Sequence, residues 1–317
     1  MLLNSCFAYA QQGGDPETAA EVGIDEHIET IQRSAGEWAL RSITWVDAFF
    51  GNELYDEETN RTRLKLRGQV KFDEHDDNEG SIDVSGTVRL PATEKRLRLI
   101  INGGDDEIRD LDDPGDPDEG GSVAVRLQGI DTPVHKLNFD IGVKRRDGNY
   151  RLFLRTRYRY QRPLGTWFRR IENRYFLFAG AGDEYLFKLN LERQISGQLS
   201  FRSSSNVEWL EDEPGVFPAQ TFSLYHKVSQ KTVIAYESRT FASTKPESQI
   251  DETQLRLRIR RNIWLDWMFL ELRPTLAWPQ EMNYRSTWRF TVQLEALFGN
   301  PGEVDRELDR RKESRKF

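Results

Sequence analysis

The chain of 317 residues sets 45 Lys and Arg against 52 Asp and Glu, a net charge of -7, with 37% hydrophobic residues. No apolar run reaches the length of about 18 residues that a membrane-spanning helix needs, so a helical membrane protein is excluded, and the acidic balance argues against general nucleic-acid binding. The single cysteine, Cys6, excludes an internal disulfide framework and a cysteine-based zinc site. A transmembrane β-barrel stays compatible, because its alternating strands average to the hydropathy of a soluble protein.

Residues 1–10 end in Ala8-Tyr9-Ala10 before Gln11, the small-x-small form of a signal-peptidase site, and read as the remnant of an export signal. Residues 11–59 form an acidic, helical segment. Asp15-Pro16 is a helix start, Ile24, Ile28, Ile31 and Ala35 follow at helical spacing, and Gly36 interrupts. A second amphipathic piece ends in Trp45, Phe49 and Phe50, a surface for a membrane interface, a partner or its own domain. Between Asp15 and Thr59 twelve acidic residues stand against Arg33 and Arg41.

From Asn60 the period changes to two. In 60–72 one face carries Thr62, Leu64, Leu66, Val70 and Phe72, and the other carries Arg61, Arg63, Lys65, Arg67 and Lys71. Ile82, Val84 and Val88 then oppose Asp83 and Arg89, and Leu97, Leu99 and Ile101 oppose Arg96 and Arg98. A long acidic loop, residues 103–121, precedes Val123, Val125 and Leu127. Leu137 to Val143 runs into the tight turn at 146–149, after which Leu152, Leu154, Tyr158 and Tyr160 oppose Arg151, Arg155, Arg157 and Arg159. Further strands are expected at 167–178, where alternation is poor, and at 185–192, 198–209, 221–228, 232–241, 253–260, 268–278 and 288–298. The strand at 253–260 places Arg256, Arg258 and Arg260 on one face.

The last of these, TWRFTVQLEALF, sets Trp288, Phe290, Val292, Leu294, Ala296 and Phe298 against Arg289, Thr291, Gln293 and Glu295. It resembles the aromatic-rich closing strand that bacterial outer-membrane barrels present to their assembly machinery. The resemblance covers residues 60–298 as repeated pattern and matches no single named family. It implies an all-β, antiparallel transmembrane barrel of about 14 strands, within two either way, in the outer membrane of a Gram-negative bacterium. The charged tail 299–317 departs from it, because such barrels commonly stop at the aromatic.

In that arrangement the expected lipid-facing set of the closing strand is Trp288, Phe290, Val292, Leu294 and Phe298. The expected basic lumen lining is Arg61, Arg63, Lys65, Arg67, Arg89, Arg96, Arg98, Arg155, Arg157, Arg159, Arg256, Arg258 and Arg260. An even strand count leaves both termini periplasmic and gives the lumen a basic inner mouth beneath acidic external loops. Such crowding of like charge needs water, counter-anions or acidic groups. Small anions, the protein's own acidic segment or an acidic periplasmic partner would supply them, besides the membrane lipid that contacts the outer wall. A soluble lipocalin-like or sandwich protein shares the alternation, with leucines in a core and arginines in solvent.

Chemistry for catalysis is sparse. Among the four histidines, His27, His75, His135 and His226, no Ser-His or Asp-His catalytic pair has local support, and residues 110–115 mimic a calcium loop with Pro114 where a ligand belongs. No phosphate-cradling, zinc or nucleic-acid motif is present, so neither enzyme activity, cofactor nor metal is expected. Two functions follow. One is a porin-like channel with an arginine-rich lumen that favours small anionic solutes and is plugged by the acidic N-terminal segment. The other is a non-conducting barrel that anchors an envelope complex.

Overall fold

The computed structural model describes Val46, Phe49, Phe50 and residues 63–89, 97–102, 121–146, 148–265 and 267–298, with backbone alone at Arg63, Arg89 and Asn102. The expected export signal, most of the acidic helical segment and the charged tail lie outside the described residues. Fourteen strands follow in chain order. They are β1 (Arg63–Asp73), β2 (Glu79–Arg89), β3 (Leu97–Asn102), β4 (Ser122–Asp131), β5 (His135–Arg146), β6 (Asn149–Leu164) and β7 (Trp167–Phe178). The second half comprises β8 (Glu184–Gln194), β9 (Leu199–Leu210), β10 (Phe217–Ser229), β11 (Thr232–Ser243), β12 (Gln249–Asn262), β13 (Met268–Pro279) and β14 (Thr287–Phe298). Each pairs antiparallel with its sequence neighbour, and β1 pairs with β14 from Leu64 opposite Phe298 to Asp73 opposite Arg289, which closes the barrel. Closure leaves no edge strand in the order of the barrel, although β3 is short and β2 pairs with it only from Gly86 to Arg89.

The period-two sequence is what sets the two sides of this wall. Successive side chains in a strand point to opposite faces, and here the outward set is apolar: Leu64, Leu66, Val70 and Phe72 on β1, Val123, Val125 and Leu127 on β4, and Trp288, Phe290 and Leu294 on β14 are exposed. The inward set is polar and buried. A soluble protein has the reverse arrangement, so the exterior here suits hydrocarbon. One outward patch differs. Gln220 on β10 is hydrogen-bonded to Ser203 and Ser205 on β9, at 3.0 and 2.5 Å, so these lipid-level polar groups satisfy one another.

Both barrel termini, the start of β1 and the end of β14, lie at one end, called here the terminal mouth; the other is the loop mouth. Tight hairpins such as the one between Leu164 and Trp167, where Gly165 takes a φ of 61°, occur at the terminal mouth. The longest connection, from Asn102 to Ser122, belongs to the loop mouth. Within the wall, Gly142 on β5 is required by crowding: a Cβ there would stand 2.3 Å from the Val123 carbonyl oxygen and 2.6 Å from the Ala124 Cβ.

β7 alternates as cleanly as any strand, although its sequence hides it. Its buried face mixes Phe168, Phe176 and Phe178 with Arg170, Glu172 and Arg174, and its outer face includes Arg169 and Asn173. Neither face is uniformly apolar, so hydropathy carries no period.

Candidate functional site in the barrel interior

Among the described residues, fifteen Lys and Arg side chains are buried in company with seven buried carboxylates. A buried ion without partners costs several kcal/mol, so the carboxylates are shared among arginines. On β6 and β7, Glu172 accepts Arg157 Nε and Nη2 at 2.8 and 3.1 Å and Arg174 Nε, and Arg159 Nε stands 3.7 Å away. Asp140 accepts both arms of Arg126 at 2.7 and 3.0 Å and Arg155 at 2.6 Å. Glu192 lies between Arg170 and Arg202, at 3.5 and 3.3 Å.

On the other side of the barrel the pairs run on without a break. Arg256 and Arg258 meet Glu237 at 2.5 and 3.6 Å, and Arg258 also reaches Glu271 at 2.9 Å. Arg260 joins Glu271 to Glu295 at 3.3 and 2.5 Å, Arg273 lies 3.4 Å from Glu271, and Arg67 lies 3.7 Å from Glu295. This chain of charge links β11 to β1 across the closing seam. Nearer the loop mouth, Arg289 binds Glu252 through two bonds of 2.7 and 3.0 Å and Asp73 through one of 2.9 Å. Planar guanidinium forks suit these shared and bidentate contacts, which a lysine would make as a point charge.

Of the basic residues singled out in the sequence, Lys65, Arg98, Arg155, Arg157, Arg159, Arg256 and Arg260 are buried on the inner face, and Arg67 and Arg258 are half-buried there. Arg61 and Arg96, with the side chains of Arg63 and Arg89, lie outside the described residues. In the closing strand Trp288, Phe290, Leu294 and Phe298 are exposed outward and Val292 is half-buried. Sequence reasoning missed Glu172 and its neighbours Arg170 and Arg174, all on β7. It also missed Arg202, a single inward charge between small residues.

Two apolar patches interrupt this charged interior. At the terminal mouth Val46, Phe49 and Phe50, all in helical conformation, sit against the inner wall. Val46 packs with Tyr225 of β10 and Ala235 of β11, the Phe50 ring centroid lies 5.5 Å from that of Tyr225, and Phe49 meets Phe269 of β13 edge-on at 5.7 Å. Cations complete the seat: Arg258 lies 4.6 Å over the Phe50 ring, and Arg260 lies 4.5 Å over Phe269.

Toward the loop mouth the wall supplies its own apolar patch. Phe153, Phe176 and Phe178 cluster with Ala124, the ring centroids separated by 5.6 to 6.0 Å. Arg155 lies 5.2 Å over Phe176 and Arg146 4.9 Å over Phe178. Arg146 is itself tied to the rim, donating to the Gly182 carbonyl at 2.8 Å and pairing with Glu184 at 3.0 Å.

A closed fourteen-strand antiparallel barrel with an apolar outer wall and a charged interior defines the class: a bacterial outer-membrane β-barrel of porin-like form. No family model matches the chain, and no curated protein matches it. Solved structures are similar to it. OprB of Pseudomonas putida is similar with a TM-score of 0.50 and 8% identity, over 78% of this chain and 97% of its own. A loop-deletion mutant of OmpT, an outer membrane protein of Vibrio cholerae, is similar with a TM-score of 0.46 and 12% identity over 75% and 98%. The outer membrane channel DcaP of Acinetobacter baumannii gives 0.43 and 9% over 75% and 96%.

Proposed function

We propose that the protein is an outer-membrane channel of the porin-like kind, acting by passage of solutes rather than by catalysis. Its upstream segment closes the periplasmic mouth. The observation that carries this reading is the seating of Val46, Phe49 and Phe50 inside the terminal mouth, on Tyr225, Ala235 and Phe269. That mouth is taken as periplasmic because single-chain barrels with an even strand count keep both ends of the wall on that side. The excess of buried cations over carboxylates supports a preference for small anionic solutes, as charged rings set selectivity in channels. The sequence led us to expect acidic side chains to hold the plug. The twelve acids of 15–59 lie outside the described residues, and the contacts that support a plug are aromatic.

The experiment is conductance in planar bilayers with the full chain and with a form lacking residues 15–59. The reading expects low conductance from the full chain, and a larger conductance with an anion-selective reversal potential from the truncated form. Equal conductance in the two would contradict it. A second reading is supported by the density of ion pairs across the interior: a non-conducting barrel that anchors an envelope complex through its terminal segments. It expects no conductance from either form and recovery of a stoichiometric partner.

A further inference from the structure

Most interior arginines share carboxylates, but three arginines on the outer wall meet none. Arg162 near the end of β6 and Arg193 near the end of β8 are exposed, and Arg169 near the start of β7 is half-buried. All three project outward, since their strand neighbours Gln161, Phe168, Arg170 and Glu192 are the buried ones. All three stand at the terminal mouth. Among the described residues none of them forms an ion pair with an Asp or Glu.

Arg162 and Arg169 are moreover direct cross-strand partners. Like charges placed opposite one another on paired strands repel, which the fold tolerates where an anion sits between them. Aromatic side chains frame the pair. Arg169 stacks 5.2 Å over Tyr160 and donates to its hydroxyl at 3.3 Å, and His135 Nδ1 lies 2.8 Å from the Tyr158 hydroxyl. Arg193 lies 5.7 Å over Trp167, whose ring meets Phe201 at 6.2 Å. Tyr and Trp gather where hydrocarbon gives way to headgroups, which puts these guanidinium groups at phosphate level. The same sector is acidic at the opposite rim, where Asp183 accepts the Tyr175 hydroxyl at 2.5 Å and Glu211 accepts the Asp183 backbone N–H at 2.9 Å.

We propose that Arg162, Arg169 and Arg193 form a binding site for the phosphate of an anionic phospholipid of the periplasmic leaflet, with Tyr160 and Trp167 resting where its acyl chains begin. The proposal rests on the membrane orientation given above and not on whether the barrel conducts. Two guanidinium groups facing across one hairpin can grip a single phosphate from both sides, and the third adds field.

The test is native mass spectrometry of the full chain released from neutral detergent with phosphatidylglycerol, phosphatidylcholine or lipid A. The wild type is expected to retain phosphatidylglycerol over phosphatidylcholine. Each of Arg162→Gln, Arg169→Gln and Arg193→Gln is expected to weaken retention about fivefold, the effect of one surface cation on an anionic lipid. Arg261→Gln, an outward charge at the same mouth on β12, serves as the matched control and is expected to leave retention unchanged. Circular dichroism of every variant confirms a folded barrel. The proposal fails if phosphatidylcholine is held as well as phosphatidylglycerol, or if the three substitutions weaken retention no more than Arg261→Gln. It also fails if they abolish lipid A binding and spare phosphatidylglycerol, because the site would then face the outer leaflet.

Discussion

The two ends of the barrel interior each carry an aromatic patch backed by arginines, but they are built from different parts of the chain. Toward the loop mouth, Phe153, Phe176 and Phe178 all belong to the wall, on the adjacent strands β6 and β7. At the terminal mouth the wall contributes Tyr225, Ala235 and Phe269, and the rings that cover them, Phe49 and Phe50, come from a segment upstream of the first strand. A patch within the wall cannot leave without unfolding it. A patch covered by a separate segment can be uncovered while the barrel stays closed, which is the contrast that the proposed plug rests on.

The charge network beneath both patches sets the largest expected effect. Glu172→Ala removes the carboxylate shared by Arg157, Arg159 and Arg174 and is expected to destabilise the barrel by about 3 to 5 kcal/mol, read as a lowered urea midpoint of unfolding in lipid. A loss within 1 kcal/mol, roughly the worth of a surface pair, would show that water solvates these arginines and that the interior is wetter than its burial implies. Next, the two patches can be set against each other directly. Phe176→Ala should cost about 3 kcal/mol of wall stability, as for a buried phenylalanine, and leave conductance as it is in the wild type. Phe49→Ala with Phe50→Ala should do the opposite, raising conductance while the unfolding midpoint moves by less than about 1 kcal/mol. If the single wall substitution and the double upstream substitution shift stability alike, the upstream residues are structural members of the wall and the contrast between the mouths is lost.

Much of the outer wall was legible in sequence. Where the lipid-facing side is apolar and the inner side largely polar or charged, as at Leu64 to Phe72 or Trp288 to Phe298, alternation alone gives strand and face. β7 was obscure because its inner face mixes phenylalanines with charges and its outer face carries Arg169 and Asn173, and Glu172, the hub of three arginines, went unseen with it. Phe49 and Phe50 were legible as an apolar surface in need of cover, but not as an insertion. Their partners Tyr225 and Phe269 are far away in sequence, and only closure of the barrel brings β10 and β13 to the same mouth. The sharing of each carboxylate between two or three arginines is of the same kind, a product of register across strands that no single strand announces.

The central claim is that the upstream residues occupy the inside of the terminal mouth, and crosslinking tests it most directly. In a chain with Cys6→Ser, cysteine is placed at Phe49 and at either Phe269, which faces inward, or its neighbour Leu270, which faces outward. A short bis-maleimide added to the barrel in lipid vesicles is predicted to join 49 to 269 within one chain and to leave 49 and 270 unlinked. Linkage of neither pair, or of both equally, would contradict the account.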